Sequence, residues 1–409
     1  MAAILCSIYE KINQCDADEW DELIRTSGAD VFLSHAFIAA VEDAFKDQAR
    51  FAHVVVHNES RAVACGSFCA FPIDFNLLAD GFARQITEIM STQLPSIMRR
   101  KIVFCGLPVS VGAKHLTIAP EAPHEDVLRA MHETAVSFAR REHAPYIIFK
   151  EFPAEDCPTI DFLQKLGYRR FSSPAMNTFE GQFSDFDAYL AALRSRYRHC
   201  VRKSMAKSVA AGLRYERLTD ANAILRLYGQ PLHRLYEAVA LSSAHRLELL
   251  PISFFHGLTR RLPGRVGLTL VYAGDHVAAF NWNLFHEGVY YFLFAGLDYD
   301  LNTSLDLYFN LMYMEMDFAF RAGATSLVFG QTADDFKVRL GCSQTPRFFY
   351  IASASPIGSL ILKAAGKLLL PEPPQPETHH VFRARDTLAR GRHRRPLQTN
   401  IDRRTTGKP

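Results

Sequence analysis

Nothing in this sequence pairs its cysteines, spaces its histidines for a metal, or runs apolar long enough to cross a membrane. The eight cysteines (Cys6, Cys15, Cys65, Cys69, Cys105, Cys157, Cys200 and Cys342) include no CxxC pair. Only Cys65 and Cys69 lie close together, inside an apolar, strand-like run. They read as buried, reduced thiols, which suits a reducing compartment. The sixteen histidines show no HExxH spacing, so no metal is expected. No GxSxG elbow and no P-loop occur, which removes the hydrolase and nucleotide sites those patterns build. No stretch reaches the roughly 18 apolar residues of a membrane span. The run from Gly358 to Leu370 is broken by Lys363 and Lys367 and reads as an amphipathic helix on the protein body. The N-terminal MAAILCSIYEKINQ has no basic region, so no signal peptide is expected and the reading is cytoplasmic.

Net charge is small as well. At +3 it does not by itself imply nucleic acid. Its distribution says more: from Arg383 onward come Arg385, Arg390, Arg392, Arg394, Arg395, Arg403 and Arg404, and without this tail the body is mildly acidic. Such a tail is expected to be disordered and to adhere weakly to polyanions. The preceding PEPPQPE reads as a linker, because proline cannot donate to a helix or a ladder.

What is present is an ordinary globular balance over 409 residues, 48% hydrophobic and 22% charged. That length suggests two or three domains and supports a core without metal or disulfide. The pattern predicts helices over 19–25 and 37–45, the second capped by Ser34, then strands 51–57 and 62–71. A helix at 82–98, a strand at 101–105, a helix at 124–143, a strand at 146–149 and a helix at 158–166 follow. The second part is predicted to hold helices over 186–211, 221–240 and 252–261. Strands 266–273, 276–285 and 289–295 come next, then a long helix 305–322 capped by Thr303 or Ser304, and strands 326–329 and 347–352. Each part thus reads as helices, a β-meander, a helix and a strand, a structural echo with its boundary near 180–184.

Four stretches give this echo a family likeness: Phe149-Lys150-Glu151-Phe152; the basic run Arg194 to Lys203; Tyr290 to Gly296; and Leu327-Val328-Phe329-Gly330 followed by Phe336-Lys337-Val338-Arg339-Leu340-Gly341. The chain resembles the GNAT superfamily. Within it, the chain is similar to the duplicated, FemAB-like acyltransferases, the group that includes the Fem aminoacyltransferases of peptidoglycan bridges. The resemblance covers roughly residues 30 to 352. It implies an α/β fold with mixed sheets and two tandem GNAT-like domains, 1–182 and 183–370, with 371–409 as linker and tail. It also implies an N-acyltransferase whose donor arm lies where two parallel strands splay, here between 290–295 and 326–329. The Arg/Gln-x-x-Gly-x-Gly/Ala loop that holds the pyrophosphate of acetyl-CoA in ordinary members is missing; Asp298 to Ser304 stands in its place.

Acyl transfer to an amine needs donors for the developing oxyanion and a deprotonated amine held close. By the resemblance, Phe336-Lys337 sits at the wedge and Lys337 steadies the tetrahedral intermediate; the alternative is a surface lysine pairing with Asp334 or Asp335. Gln331 either binds a carbonyl or fills a turn. Asp298 either orients the acceptor amine or bonds its own turn. Tyr291 and Asn281 face either the cleft or the core, and Ser304 marks a helix start with free N–H groups. Glu151 lines a groove between the halves or pairs with Lys150 or Arg169. Arg196, Arg198, Arg202 and Lys203 have no acidic neighbour from Arg194 to Arg214, which suits phosphate binding as well as it suits a solvated face. The expectation is an enzyme with no resident cofactor. It would move an acyl group from acyl-CoA, aminoacyl-tRNA or acyl carrier protein to a small-molecule or peptidyl amine. The alternative is a non-catalytic peptide- or glycan-binding module of the same fold.

Overall fold

The computed structural model describes residues 4–74, 99–109, 111–242, 248–353, 355, 358–360, 362–363 and 379–383. Its apolar runs become one mixed sheet. In the first half, β1 (Ile4–Tyr9), α1 (Ala17–Thr26) and α2 (His35–Phe45) lead into β2 (Arg50–Asn58), β3 (Arg61–Asp74), β4 (Arg99–Cys105) and the short β5 (Leu116–Ile118). After α3 (His124–Arg141) come β6 (Tyr146–Pro153), α4 (Cys157–Ile160), α5 (Phe162–Lys165) and β7 (Arg169–Glu180). Local chemistry explains the helix starts. Asp16 accepts from the N–H groups of Asp18 and Glu19, and Ser34 Oγ accepts from Phe37 N–H at 3.3 Å, each satisfying orphan donors of a first turn. β2 is apolar on both faces because both are covered.

The second half runs α6 (Phe186–Ala192), α7 (Ser195–Ala210), β8 (Arg214–Leu218), α8 (Ala221–Leu227), α9 (Gln230–Ser242) and α10 (Ile252–Arg261). The meander β9 (Val266–Ala273), β10 (His276–His286) and β11 (Val289–Leu297) follows. Then come α11 (Tyr299–Leu305), α12 (Leu307–Arg321), β12 (Ser326–Gly330), α13 (Asp334–Arg339) and β13 (Ser343–Ser353).

The strand order is β1-β2-β3-β4-β6-β13-β7-β12-β11-β10-β9-β8, with β5 against β3. Two of these ladders, β4–β6 and β11–β12, are parallel. The centre is an exchange. β13, from the second half, lies between β6 and β7, and β7, from the first, lies between β13 and β12. The backbone hydrogen bonds of each half are therefore completed by the other. Helices reinforce the join: Phe37 of α2 meets Phe254 of α10 edge-on at 6.3 Å. One hydrophobic core runs through the first half and under α9 and α10. A second lies between the opposite sheet face and α12.

Several sequence expectations need correction. The helix expected over 186–211 is two, because Leu193 and Arg194 are extended and bond a returning segment. Arg194 N–H donates to Val381 O at 2.9 Å and Arg383 N–H to Ala192 O at 3.1 Å. That segment lies within the expected tail, yet Val381 is buried. The helix expected over 221–240 breaks between Leu227 and Gln230, just ahead of Pro231, whose ring excludes an upstream helical turn. The helix expected over 305–322 begins at Leu307, and Ser304 is not its cap. Ser304 belongs to α11, with Oγ bonded to Leu301 O, and Asp306 stands between the two helices at φ 52°. β1, β5, β7 and α13 were not expected. The helix expected over 82–98, most of the Pro-rich linker and the tail beyond Arg383 lie outside the described residues. Among the described residues, no helix is long and apolar enough to cross a membrane.

Candidate active site

The fold contains two wedges, one where each parallel pair ends. In the first half β4 and β6 pair from Ile102↔Tyr146 to Cys105↔Phe149. The opening beyond is filled. Lys150 is buried, its ammonium lies 5.3 Å from the Phe104 ring centroid, and its stem covers Gly106 so closely that a Cβ there would fall 2.8 Å from Lys150 Cε. In the second half the pairing runs only from Val289↔Ser326 to Tyr291↔Val328, after which β11 and β12 diverge. On the α12 face of that opening Phe292 meets Phe329 at 6.1 Å and Tyr308 at 6.2 Å.

The short helix α13, separated from β12 by three residues, carries Lys337. Lys337 is 1% exposed. Burial pulls its pKa down to about 8, opposed by the neighbouring Cys342 and Asp334. The surface pairing considered above is thus not formed: Asp334 accepts from Asn177 Nδ2 at 2.6 Å, and Asp335 pairs with Arg339 at 2.8 Å. Phe336 stacks on Phe309 at 4.2 Å, which anchors the helix. Asn177 of β7 also donates to Gly330 O at 3.0 Å, tying α13 to the strand that the first half lends. The side-chain oxygens of Asn177 and Asn281 are buried without a hydrogen-bond partner. Such orphans are uncommon and call for a ligand or a water. Asn281 is fully buried and donates Nδ2 to Phe294 O at 3.3 Å.

On the opposite face lies a cavity of about 210 Å³ between the halves, lined by Asp30, Phe32, Val111, Gly112, Ala113, Met176, Thr178, Val289, Tyr291, Val328 and Arg347. Tyr291 and Val328, the last paired residues of the wedge, form part of its floor. Tyr291 donates to Asp30 Oδ1, and burial first, then Asp30, holds its phenol protonated far above the usual range. Gln331 sits beside this cavity. It donates to Glu151 Oε2 at 3.0 Å and to Pro174 O at 2.8 Å, and Glu151 also accepts from Ser173. Glu151 thus reaches across the join and pairs with neither Lys150 nor Arg169, while its backbone is held at φ 92°, a strained value for a non-glycine residue. Gly112, at φ 66°, passes so close that any Cβ would collide with Met176 Cε.

The remaining candidates lie elsewhere. Asp298 caps α11 by accepting from Asp300 N–H and meets His276 Nε2 at 3.1 Å. Seven residues past Tyr291, it is roughly 23 Å along the strand from the vertex at ~3.3 Å per residue. Ser304 neighbours it on α11. Of the basic run, Arg196, Arg202 and Lys203 are exposed on α7, whereas Arg198 turns back to the carbonyls of Ala191 and Leu193 at 3.4 Å. One N–H at the start of α12 is already used, Tyr308 N–H donating to Asn302 Oδ1 at 3.0 Å, and the adjoining Asp306 pairs with Lys207 at 2.8 Å. Of the candidates, Tyr291 lies at the vertex and Gln331 beside the cavity. Phe336 packs 6.0 Å from Tyr308, which in turn meets Phe292, and Lys337 is buried on the same helix as Phe336. Asp298 and Ser304 lie past the far end of β11. Asp30, Asn177 and Arg347 had no sequence signal; Asp30 and Tyr291 are 261 residues apart. Among the described residues no group of three or more His, Cys, Asp or Glu side chains could hold a metal.

Residues 194–338 match the family model described as an acetyltransferase (GNAT) domain. A crystal structure of FemX superposes with a TM-score of 0.52 at 13% identity, over 84% of this chain and 96% of that one. The chain has a FemAB-like GNAT fold. A tandem GNAT protein from the clavulanic acid biosynthesis pathway is also similar, with a TM-score of 0.49 at 13% identity over 87% of this chain and 99% of that one. So is L-PGS from Bacillus licheniformis, at 0.47 and 10% over 87% and 96%. No curated protein matches the sequence. The acetyltransferase domain match lies in the second half and takes in its parallel β11–β12 pair.

Proposed function

We propose that this protein transfers an acyl or aminoacyl group from a large activated carrier to an amine, at the vertex of the β11–β12 wedge. What supports this reading is the contrast of the wedges. The first is filled by Lys150, whereas the strands flanking the second carry the amide oxygens of Asn177 and Asn281, buried without a partner among the described residues, and the helix after β12 carries the buried Lys337. The donor end lies on the α12 face, where the Asn281 and Asn177 oxygens accept from its N–H or O–H groups. The acceptor amine approaches from the cavity on the other face. Its lone pair forms the new C–N bond, negative charge moves to the carbonyl oxygen, and the Lys337 ammonium stabilises it. Collapse breaks the carbonyl bond to the leaving oxygen or sulfur, which takes up the proton the amine gives up.

The start of α12 bears on the donor. A CoA pyrophosphate placed there would meet Asp306 and a donor N–H already used by Asn302. This favours aminoacyl-tRNA, and acyl carrier protein after it, over acyl-CoA, with Arg196, Arg202 and Lys203 meeting the carrier's phosphates. The test is titration of the full chain with acetyl-CoA and with charged tRNA, followed by transfer assays. Micromolar, salt-sensitive tRNA binding that weakens in Arg202→Ala, with no acetyl-CoA binding at millimolar concentration, supports the reading. Micromolar acetyl-CoA binding would replace the donor. No transfer from any of the three donors to any amine would leave a binding module of the same fold.

A further inference from the structure

Asp30 and Arg347 bring opposite charges to one small cavity without meeting each other. Asp30 comes from the loop ahead of the 3-10 turn Val31–Leu33, and Arg347 from the exchanged strand β13, in register with Ser173 and Pro153. Asp30 Oδ1 accepts from Tyr291, which leaves its second oxygen. Among the described residues Arg347 bonds through Nε alone, donating to Gly112 O at 3.3 Å, which leaves the two terminal nitrogens of its fork. Half-buried charges held apart are costly unless something bridges them. Thr178 and Tyr291 add polar groups, the rest of the lining includes the apolar Phe32, Met176, Val289 and Val328, and the volume is about 210 Å³. A liquid water claims about 30 Å³, so the space suits roughly seven water-sized groups, well below the ~300–1,000 Å³ of pockets for drug-sized ligands.

We infer that this cavity takes an α-amino acid group, with its ammonium on Asp30 and its carboxylate on Arg347. An arginine fork matches a planar carboxylate, and a short aliphatic side chain fits the apolar floor. Because Tyr291 and Val328 belong both to this floor and to the wedge vertex, the bound amino group faces the place where transfer is proposed. The inference thus rests on the amine-acceptor reading for its chemical meaning, but the binding itself does not.

The experiment is calorimetry on the full chain with L-alanine, Nε-acetyl-L-lysine, ethylamine and propionate. Expected is binding of L-alanine or Nε-acetyl-L-lysine at least tenfold tighter than either singly charged control, weakened at least tenfold by Asp30→Asn and by Arg347→Gln. Tighter binding of the lysine derivative would place the amino acid group at the end of a larger acceptor. If Arg347→Gln disturbs the sheet, Ala113→Leu fills the cavity from a loop and abolishes the same binding. Equal affinity for L-alanine and ethylamine, no binding of either amino acid, or indifference to Ala113→Leu overturns the inference. Amino acid binding without transfer from any donor would leave this site standing and defeat the proposed function. Transfer to an amine that lacks a carboxylate, unchanged in Arg347→Gln, would do the reverse.

Discussion

The two halves build the same parallel strand pair and treat the gap beyond it in opposite ways. In the first, Lys150 lays its aliphatic stem over Gly106 and its ammonium on the Phe104 ring, so the charge is spent on packing and cation–π contact. In the second, Lys337 is brought in from a separate short helix, 1% exposed, with its pKa depressed by burial. One lysine thus closes the first gap, while the other is buried on a helix that follows β12. The difference teaches that two halves can keep the same strand frame through backbone pairing while placing their lysines in different surroundings.

The comparison can be broken or sharpened by substitution. The largest effect is expected beneath the second wedge, where Glu315 is fully buried and bound by Tyr290, by Asn283 at 3.2 Å and by Arg217 at 3.5 Å. Glu315→Ala leaves Arg217 without its carboxylate and should cost about 3–5 kcal/mol in a denaturant titration. A loss below about 1 kcal/mol would mean the network does not hold the wedge.

Next comes Lys337→Met. Transfer should fall about 10²–10³-fold while the melting temperature stays level or rises, since a buried charge is removed; unchanged turnover would take Lys337 out of the mechanism. Its counterpart Lys150→Ala should do the opposite. Turnover should hold, and stability should drop by about 1–3 kcal/mol because the emptied wedge is left as a cavity. A matching loss of turnover would show that the first wedge also works.

The smallest effect is a pH dependence. The folded pKa of Lys337, about 8, lies below its unfolded value of about 10.4. The folded state therefore releases this proton first, and the cost of burying the charge is full below pH 8 and fades as pH rises toward the unfolded value. Between pH 7 and 9 the wild type should gain about 1 kcal/mol relative to Lys337→Met. Over the same range transfer should decline as the ammonium is lost. A parallel pH profile in the two proteins would contradict the burial of a charged lysine.

Much of the fold was legible in the residues. The meander over 266–297, α3 with its acidic start and basic end, and the Ser34 cap follow local rules of period and capping that short segments obey. The Phe336-Lys337 pair was singled out through a family likeness, and the structure shows Lys337 buried and Phe336 stacked on Phe309. The breaks at Leu193 and Asp306 were not, because a returning segment near Val381 and a second helix decide them, and neither is a neighbour in sequence. Asp298 read as a site residue because it follows a strand glycine, yet it serves as a helix cap at the far end of that strand. Asp30 and Arg347 carry no motif and meet only through packing between the halves.

The sequence by itself determined the elements, since hydrophobic period, caps and glycine stops act over a few residues. Only the tertiary structure decided that β7 and β13 change places, that the first wedge is filled by a lysine stem, and that Asp30 and Arg347 line one cavity. Those outcomes depend on which backbone donors and acceptors remain unpaired once both halves have folded, and such a balance is struck between residues hundreds of positions apart.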